Sequence, residues 1–222
     1  MATGSGDNNV FLFIPNIIGY ARIILALVSF YYMATDCALA VWCYIISSFL
    51  DALDGHAARY FNQSSKFGAM LDMLTDRCAT MCLLVTLSLF YPRWMFWFQL
   101  SMTVDISSHW LHLHSSTVSG ATSHKAIDLS GNPILRLYYT SRPVLFFMCA
   151  GNEMFYSMLY ICHFTVGPTL FGVGLWQLLC VLAAPVTLVK TGISLVHLVT
   201  ASQNMAAIDA AERATARQEK DQ

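Results

Sequence analysis

Asp51, Asp54, Asp72 and Asp76 place four carboxylates within 26 residues of a chain in which only 11% of residues are charged. Charges inside apolar segments are costly and usually functional. Asp51 and Asp54 are three residues apart, and Asp72 and Asp76 are four apart, so each pair shares a helix face. Four ionised carboxylates this close repel strongly in a poorly solvated place. Either some are protonated or cations neutralise them. Two divalent ions would balance the four charges, and oxygen-only ligands suit Mg²⁺ or Mn²⁺. Two such ions clamp the attacking and leaving oxygens of an in-line phosphoryl displacement. A solvated loop is the competing explanation, and the apolar flanks argue against it.

The elements that must position these groups are two antiparallel helices joined by a short loop. At about 1.5 Å per residue, Asp54 lies roughly 8 Å below Arg59 and Asp51 roughly 12 Å. On the other helix Asp72 lies roughly 8 Å below Phe67 and Asp76 roughly 13 Å. The hairpin therefore sets Asp54 level with Asp72 and Asp51 level with Asp76, one to two turns below a membrane surface. Gly55 and Ala58 lie on or beside the first aspartate face, and Gly68 begins the second. Small residues admit a bulky ligand or a neighbouring helix, so plain helix packing competes with a binding role. Arg59 at the rim can grip a phosphate, and basic residues at a cytosolic loop need no other reason.

The chain of 222 residues is 56% hydrophobic, and its apolar residues gather in stretches of about 20, long enough to cross a bilayer. The expectation is an all-α polytopic membrane bundle of six transmembrane helices, near residues 17–34, 38–60, 67–91, 94–114, 143–164 and 175–200. A short interfacial segment, Val10 to Asn16, precedes them. As domains this gives 1–16 as an N-terminal segment, 17–200 as the membrane domain, and 201–222 as a tail that reads as an amphipathic helix. Arg59, Lys66, Lys125, Arg136, Arg142, Arg213, Arg217 and Lys220 fall on one side and only Arg93 on the other. By the positive-inside bias, both termini and the aspartates' end are cytosolic. The sequon Asn62-Gln63-Ser64 then stays unmodified. Trp42, Tyr44, Trp94, Trp97, Trp110 and Trp176 lie near span ends, and most of them read as an aromatic belt. A net charge of −1 gives no sign of nucleic acid binding. The seven cysteines show no CxxC pair and read as packing residues rather than a disulfide framework. Arg22 interrupts the first apolar run ahead of Ala38-Leu39-Ala40, which argues against a cleaved signal peptide.

The pattern Asp51-x2-Asp54-Gly55-x2-Ala58-Arg59-x8-Gly68-x3-Asp72-x3-Asp76 resembles the motif of the CDP-alcohol phosphotransferases at every fixed position. The resemblance implies that the four aspartates hold two metal ions and that Asp76 also takes the proton of the attacking alcohol. It implies that Gly55, Ala58, Arg59 and Gly68, with Ser65, line the cytidine diphosphate site, and that CMP leaves. Longer segments, among them PNIIGYARI, SSHWLHLHSS, SHKAIDLSGNP and LRLYYTSRP, resemble the eukaryotic phosphatidylinositol-forming branch of that family. The substrates implied are CDP-diacylglycerol and myo-inositol. The resemblance also implies a homodimer and residence in the endoplasmic reticulum.

Outside the motif, Asp105, His109 and His112 recur at i, i+4 and i+7 and make a polar stripe extended by Ser101 and Ser108. A polyol with six hydroxyls needs many such partners. A polar helix–helix contact is an equally good explanation, and a zinc site from Asp105, His109 and His112 is a weaker one. Arg136 and Arg142 could steer an anionic headgroup, or serve topology alone. Arg77 points about 100° away from Asp76 and could pair with an acid or bind phosphate. Lys190 sits mid-span, facing the bundle interior or a cavity, with no partner evident in sequence. Other acceptors such as glycerol phosphate, choline or ethanolamine would leave the metal site unchanged. A prenyltransferase would need two separate aspartate clusters. A cation transporter would leave the spacing of Gly55, Ala58, Arg59 and Gly68 unexplained, and a non-catalytic scaffold is disfavoured because nothing at the motif is missing.

Overall fold

The computed structural model describes residues 9–122, 138, 141–170 and 172–220. Six long helices carry the described chain: α1 Ile14–Tyr32, α2 Cys37–Tyr60, α3 Lys66–Phe90, α4 Met95–Thr122, α5 Arg142–Phe164 and α6 Leu175–Lys220. The class is all-α, with single 3-10 turns at Val10–Leu12 and Pro92–Trp94. Two-residue strands, β1 Thr169–Leu170 and β2 Val173–Gly174, pair antiparallel between the fifth and sixth expected spans, where the sequence Thr165 to Gly174 reads as a turn.

Every helix except α4 is long and apolar enough to cross a membrane, which makes five. α4 has 28 residues, but Asp105, His109, His112 and His114 dilute its apolar run. In the five, only 22% to 33% of the most apolar window is buried within the molecule. Trp42, Phe49, Phe146 and Leu188 are 64% to 74% exposed, whereas Arg22, Ser29, Ser108 and His197 are at most 2% exposed. Apolar groups outside and polar groups paired inside are what a lipid solvent favours.

Local signals set the helix ends. The Asp36 carboxylate accepts from Leu39 N and starts α2, and the Ser65 hydroxyl accepts from Gly68 N and starts α3. Between α2 and α3, Asn62 takes φ 53°, a left-handed conformation that Asn tolerates better than most residues. The turn is tied to α1, since Ile14 N donates to Gln63 Oε1 at 2.9 Å. At the opposite end, Tyr160 Oη donates to the Met33 carbonyl and Tyr91 Oη to the Leu159 carbonyl. The apolar core gathers toward that end: Leu83, Leu84 and Leu87 of α3 pack with Tyr44, Phe98, Tyr156 and Tyr160.

Several boundaries differ from the sequence expectation. α1 begins at Ile14 with Pro15 in its first turn, a position where a missing N–H costs nothing, so only Val10 to Phe13 stays outside it. α4 continues to Thr122, eight residues beyond its expected end. α6 runs unbroken for 46 residues across the expected boundary at 200, because the Ala-rich stretch after Met205 consists of strong helix formers. Lys125, Arg136 and most of the connection expected between the fourth and fifth spans, Ser115 to Arg142, lie outside the described residues. All seven cysteines are free, in line with packing roles.

Gly167 has φ +69°, and a Cβ there would stand 2.2 Å from Trp176 Nε1. Gly172 has φ +81° and open space. Gly172→Ala should therefore cost about 1–2 kcal/mol, the left-handed backbone penalty alone. Gly167→Ala should cost more, read as a larger drop in thermal midpoint in detergent. Equal drops would mean that Trp176 yields freely.

Candidate metal and phosphoryl-transfer site

Three helices build the acidic centre. α1 supplies Arg22, α2 supplies Asp51 and Asp54, and α3 supplies Asp72 and Asp76. Two hydroxyls hold α1 close to α2: Ser29 Oγ donates to the Ala40 carbonyl at 2.9 Å, and Ser47 Oγ to the Arg22 carbonyl at 3.1 Å. That approach carries the Arg22 guanidinium into the middle of the four carboxylates. Nη1 donates to Asp54 Oδ2 at 2.5 Å and to Asp72 Oδ1 at 2.7 Å. Nη2 meets Asp51 Oδ1 at 2.5 Å and Asp76 Oδ1 at 2.6 Å. Each nitrogen thus joins one level of the α2–α3 hairpin, the same pairs that the residue spacing sets side by side.

Sequence reasoning missed Arg22, treating it only as a break in an apolar run. Its signal was a charge at mid-span, the same signal that drew attention to the aspartates. One guanidinium against four carboxylates leaves negative charge to be balanced. Asp51, Asp72 and Asp76 each offer an oxygen within 4.8 Å of the others, and they are the one group among the described residues arranged to hold a metal ion. Their side chains are 35% to 47% exposed, while that of Asp54 is 11% exposed. An open, all-oxygen edge fits Mg²⁺ or Mn²⁺.

Beside this centre lies a cavity of about 190 Å³ walled by α1, α2, α3 and the α2–α3 turn. Gly55, Ala58, Arg59, Ser65 and Gly68 all line it, together with Asp54 and Asp72. Pro15, Asn16 and Gln63 line it too, and sequence reasoning had not singled them out. The two glycines differ. A Cβ on Gly68 would stand 2.7 Å from Asn16 Oδ1 and 3.0 Å from Ser65 Oγ, so packing alone requires glycine there. A Cβ on Gly55 would meet nothing nearer than Arg59 Nη1 at 3.6 Å, so packing does not explain it. The Ser65 hydroxyl is engaged in capping α3.

A second cavity, about 310 Å³ and mainly apolar, opens between α2 and α5 deeper in the bundle. Tyr44, Ser48 and Glu153 are among its lining residues. Glu153 accepts hydrogen bonds from Tyr44 Oη at 2.8 Å and from Thr80 Oγ1 at 2.7 Å.

The stripe on α4 makes polar helix–helix contacts. Asp105 accepts from Arg77 Nη1 at 2.8 and 2.9 Å and from Lys190 Nζ at 3.3 Å, which joins α3, α4 and α6. His109 Nδ1 lies 2.8 Å from the Asp105 carbonyl oxygen. The His112 ring stands 4.5 Å from that of His197. Asp105, His109 and His112 are not among the groups of described residues arranged for a metal ion. Arg77 pairs with an acid, one of its two expected fates, and Lys190 faces the interior with Asp105 as partner. Arg136 and the side chain of Arg142 lie outside the described residues.

Residues 12–126 match the family model described as CDP-alcohol phosphatidyltransferase. A Homo sapiens protein named CDP-diacylglycerol–inositol 3-phosphatidyltransferase is 60% identical over 208 residues, covering 94% of this chain and 98% of that one. A Drosophila melanogaster protein of the same name is 53% identical, with 95% and 92% covered. One from Schizosaccharomyces pombe is 41% identical, with 95% and 96% covered. No solved structure matches the chain.

Replacing Arg22 tests the counter-charge. Arg22→Gln should lower stability in EDTA by about 1–3 kcal/mol, a buried-pair loss discounted for the partly open carboxylates. Added Mg²⁺ should restore more of the thermal midpoint in the variant than in the unsubstituted protein. An unchanged midpoint in EDTA would show that the carboxylates do not need Arg22.

Proposed function

The chain belongs to the CDP-alcohol phosphatidyltransferase family, and from that premise we propose that it transfers the phosphatidyl group of CDP-diacylglycerol to myo-inositol and releases CMP. The observation that carries the acceptor is 60% identity across 98% of a relative named for that reaction. The observation that carries the chemistry is the meeting of four carboxylates beside a cavity lined by Gly55, Ala58, Arg59 and Gly68.

In this reading Asp51, Asp54, Asp72 and Asp76 hold two Mg²⁺ or Mn²⁺ ions. The ions supply Lewis-acid stabilisation of charge on the diphosphate. Gly55, Ala58 and Gly68 let the nucleotide approach the backbone, Arg59 grips a phosphate at the rim, and Ser65 closes the wall. Asp76 accepts the proton of an inositol hydroxyl as its oxygen attacks the phosphorus attached to diacylglycerol. The bond from that phosphorus to the CMP oxygen breaks, and CMP carries away the electron pair. Asp105, His109 and His112 hydrogen-bond the ring hydroxyls, with Arg136 and Arg142 steering charged headgroups from the cytosolic loop. The apolar cavity between α2 and α5 suits the acyl chains, which need a dry wall within reach of the reacting phosphorus.

The setting proposed is the endoplasmic reticulum membrane, with both termini and the active site cytosolic. α4 crosses as the sixth span, its polar stripe turned inward, and the first residues to Asn16 lie at the interface. Residues 17–200 act as the membrane domain, with 201–222 a cytosolic tail. The enzyme works as a homodimer.

The assay is CMP release from CDP-diacylglycerol by purified protein in detergent, with Mg²⁺ and one alcohol at a time. Release with myo-inositol only, abolished by EDTA and restored by Mg²⁺ or Mn²⁺, is expected. Release with a different alcohol would overturn the acceptor, and release that survives chelation would overturn the metal chemistry. Asp76→Asn should keep nucleotide binding better than Asp51→Asn or Asp72→Asn, yet lose turnover by about 10²–10⁴-fold, the usual worth of a general base. Equal loss of nucleotide binding in all three would remove the separate base role.

A further inference from the structure

Asp76 stands between two differently built regions. Its Oδ1 takes Arg22 Nη2 on the α1 side, and its Oδ2 lies 3.7 Å from Arg77 Nη2. Arg77 Nη1 turns into the cleft between α3, α4, α5 and α6 and donates to both oxygens of Asp105. Lys190 Nζ reaches the same carboxylate from α6. Charges of alternating sign therefore run from the reaction centre into the bundle: Asp76, Arg77, Asp105, Lys190. Lys190 is 7% exposed, and the Asp105 side chain 14%. The remaining polar wall is uncharged, with Ser101, Asn152, Tyr156 and Ser194. The cleft holds about 20 Å³, room for one water, so an acceptor ring rests at its mouth rather than inside it. What meets an incoming acceptor is Arg77 beside Asp76, its positive charge offset by Asp105.

In-line displacement puts the acceptor on the opposite face of the phosphorus from CMP. The nucleotide cavity lies on the Asp54 and Asp72 side, which leaves the Asp76 and Arg77 side for the acceptor. A buried arginine and lysine close together are what a phosphate-bearing ligand seeks. Asp105 occupies both. Resting on the inositol reading above, we infer that Asp105 is a charge filter. By holding Arg77 and Lys190 it denies phosphorylated alcohols a cation pair beside Asp76, and the acceptor side takes a neutral polyol. Lys190 completes the filter by fixing the carboxylate from α6, where Arg77 alone would leave it free to turn.

The test measures inhibition of inositol-dependent CMP release by glycerol 3-phosphate and by inositol 1-phosphate. The unsubstituted protein should be weakly inhibited. Asp105→Asn frees two cations and should be inhibited at about ten-fold lower concentration, the size of one charge-assisted hydrogen bond. Should Asp105→Asn alone not fold, the comparison of Asp105→Asn/Lys190→Met with Lys190→Met carries the test, since only the former frees Arg77. It should again show about ten-fold stronger inhibition. A structural role for Asp105 would lower turnover without moving the inhibition constants, and unchanged constants in both comparisons would overturn the filter. Failure of the unsubstituted protein to use myo-inositol would instead overturn the acceptor assignment, a separate outcome.

Discussion

Four carboxylates meet at one guanidinium, and much of the bundle is arranged to make that meeting tolerable. Arg22 is 2% exposed and contacts Asp51, Asp54, Asp72 and Asp76 at once. In a poorly solvated place neither partner would be stable alone, since an unpaired buried ion costs several kcal/mol. The pairing therefore dictates close packing of α1 on α2, which the hydroxyls of Ser29 and Ser47 supply by reaching backbone carbonyls across the interface. It also dictates a short reversal between α2 and α3. Ser65 caps the returning helix and Asn62 takes the left-handed conformation that lets the chain turn back so quickly. The α1 start is then pinned to the turn through Gln63.

The same economy explains where the apolar core lies. Leu83, Leu84 and Leu87 begin nearly two turns beyond Asp76 on α3, and they pack with aromatic residues of α2, α4 and α5. Between core and acidic centre runs a polar belt in which Glu153 joins Tyr44 of α2 to Thr80 of α3. A carboxylate at that depth has its donors ready, as buried polar groups require. The packed end thereby holds the helices in register while the open end keeps Asp51, Asp72 and Asp76 one-third to one-half exposed. Rigidity and access are separated along one bundle axis.

What could be read from sequence follows from what is local. Asp51 with Asp54, and Asp72 with Asp76, are one helical turn apart, and a short loop fixes the level at which two antiparallel helices face each other. The pairing of Asp54 with Asp72 and of Asp51 with Asp76 on Arg22 was legible for that reason. Arg22 was not, because 29 residues and a turn separate it from Asp51, and only tertiary packing tells which face of α1 meets α2. Lys190 and Arg77 carried the same handicap: their common partner Asp105 stands on a third helix. The tail after residue 200 was legible as a helix, but its unbroken join to the span before it was not. The stripe on α4 was seen, but polar residues that glue helices look the same in sequence as polar residues that bind a ligand.

Gly55 and Gly68 show how structure divides what sequence cannot. Both stand in the motif, and both line the cavity beside the carboxylates. At Gly68 the Asn16 amide and the Ser65 hydroxyl already fill the space a side chain would need, so the fold accounts for the glycine. At Gly55 the fold leaves that space open, with the nearest atom at 3.6 Å belonging to the end of the flexible Arg59 side chain. Helical glycine costs roughly 0.5–1 kcal/mol relative to alanine, and at Gly55 nothing in the packing offsets that loss. A cost borne inside a helix without a packing return points to a ligand that needs the backbone bare. Gly55 follows Asp54 directly and sits one turn before Arg59, between the acidic centre and a cation at the rim. A diphosphate bridging those two charges would pass over it.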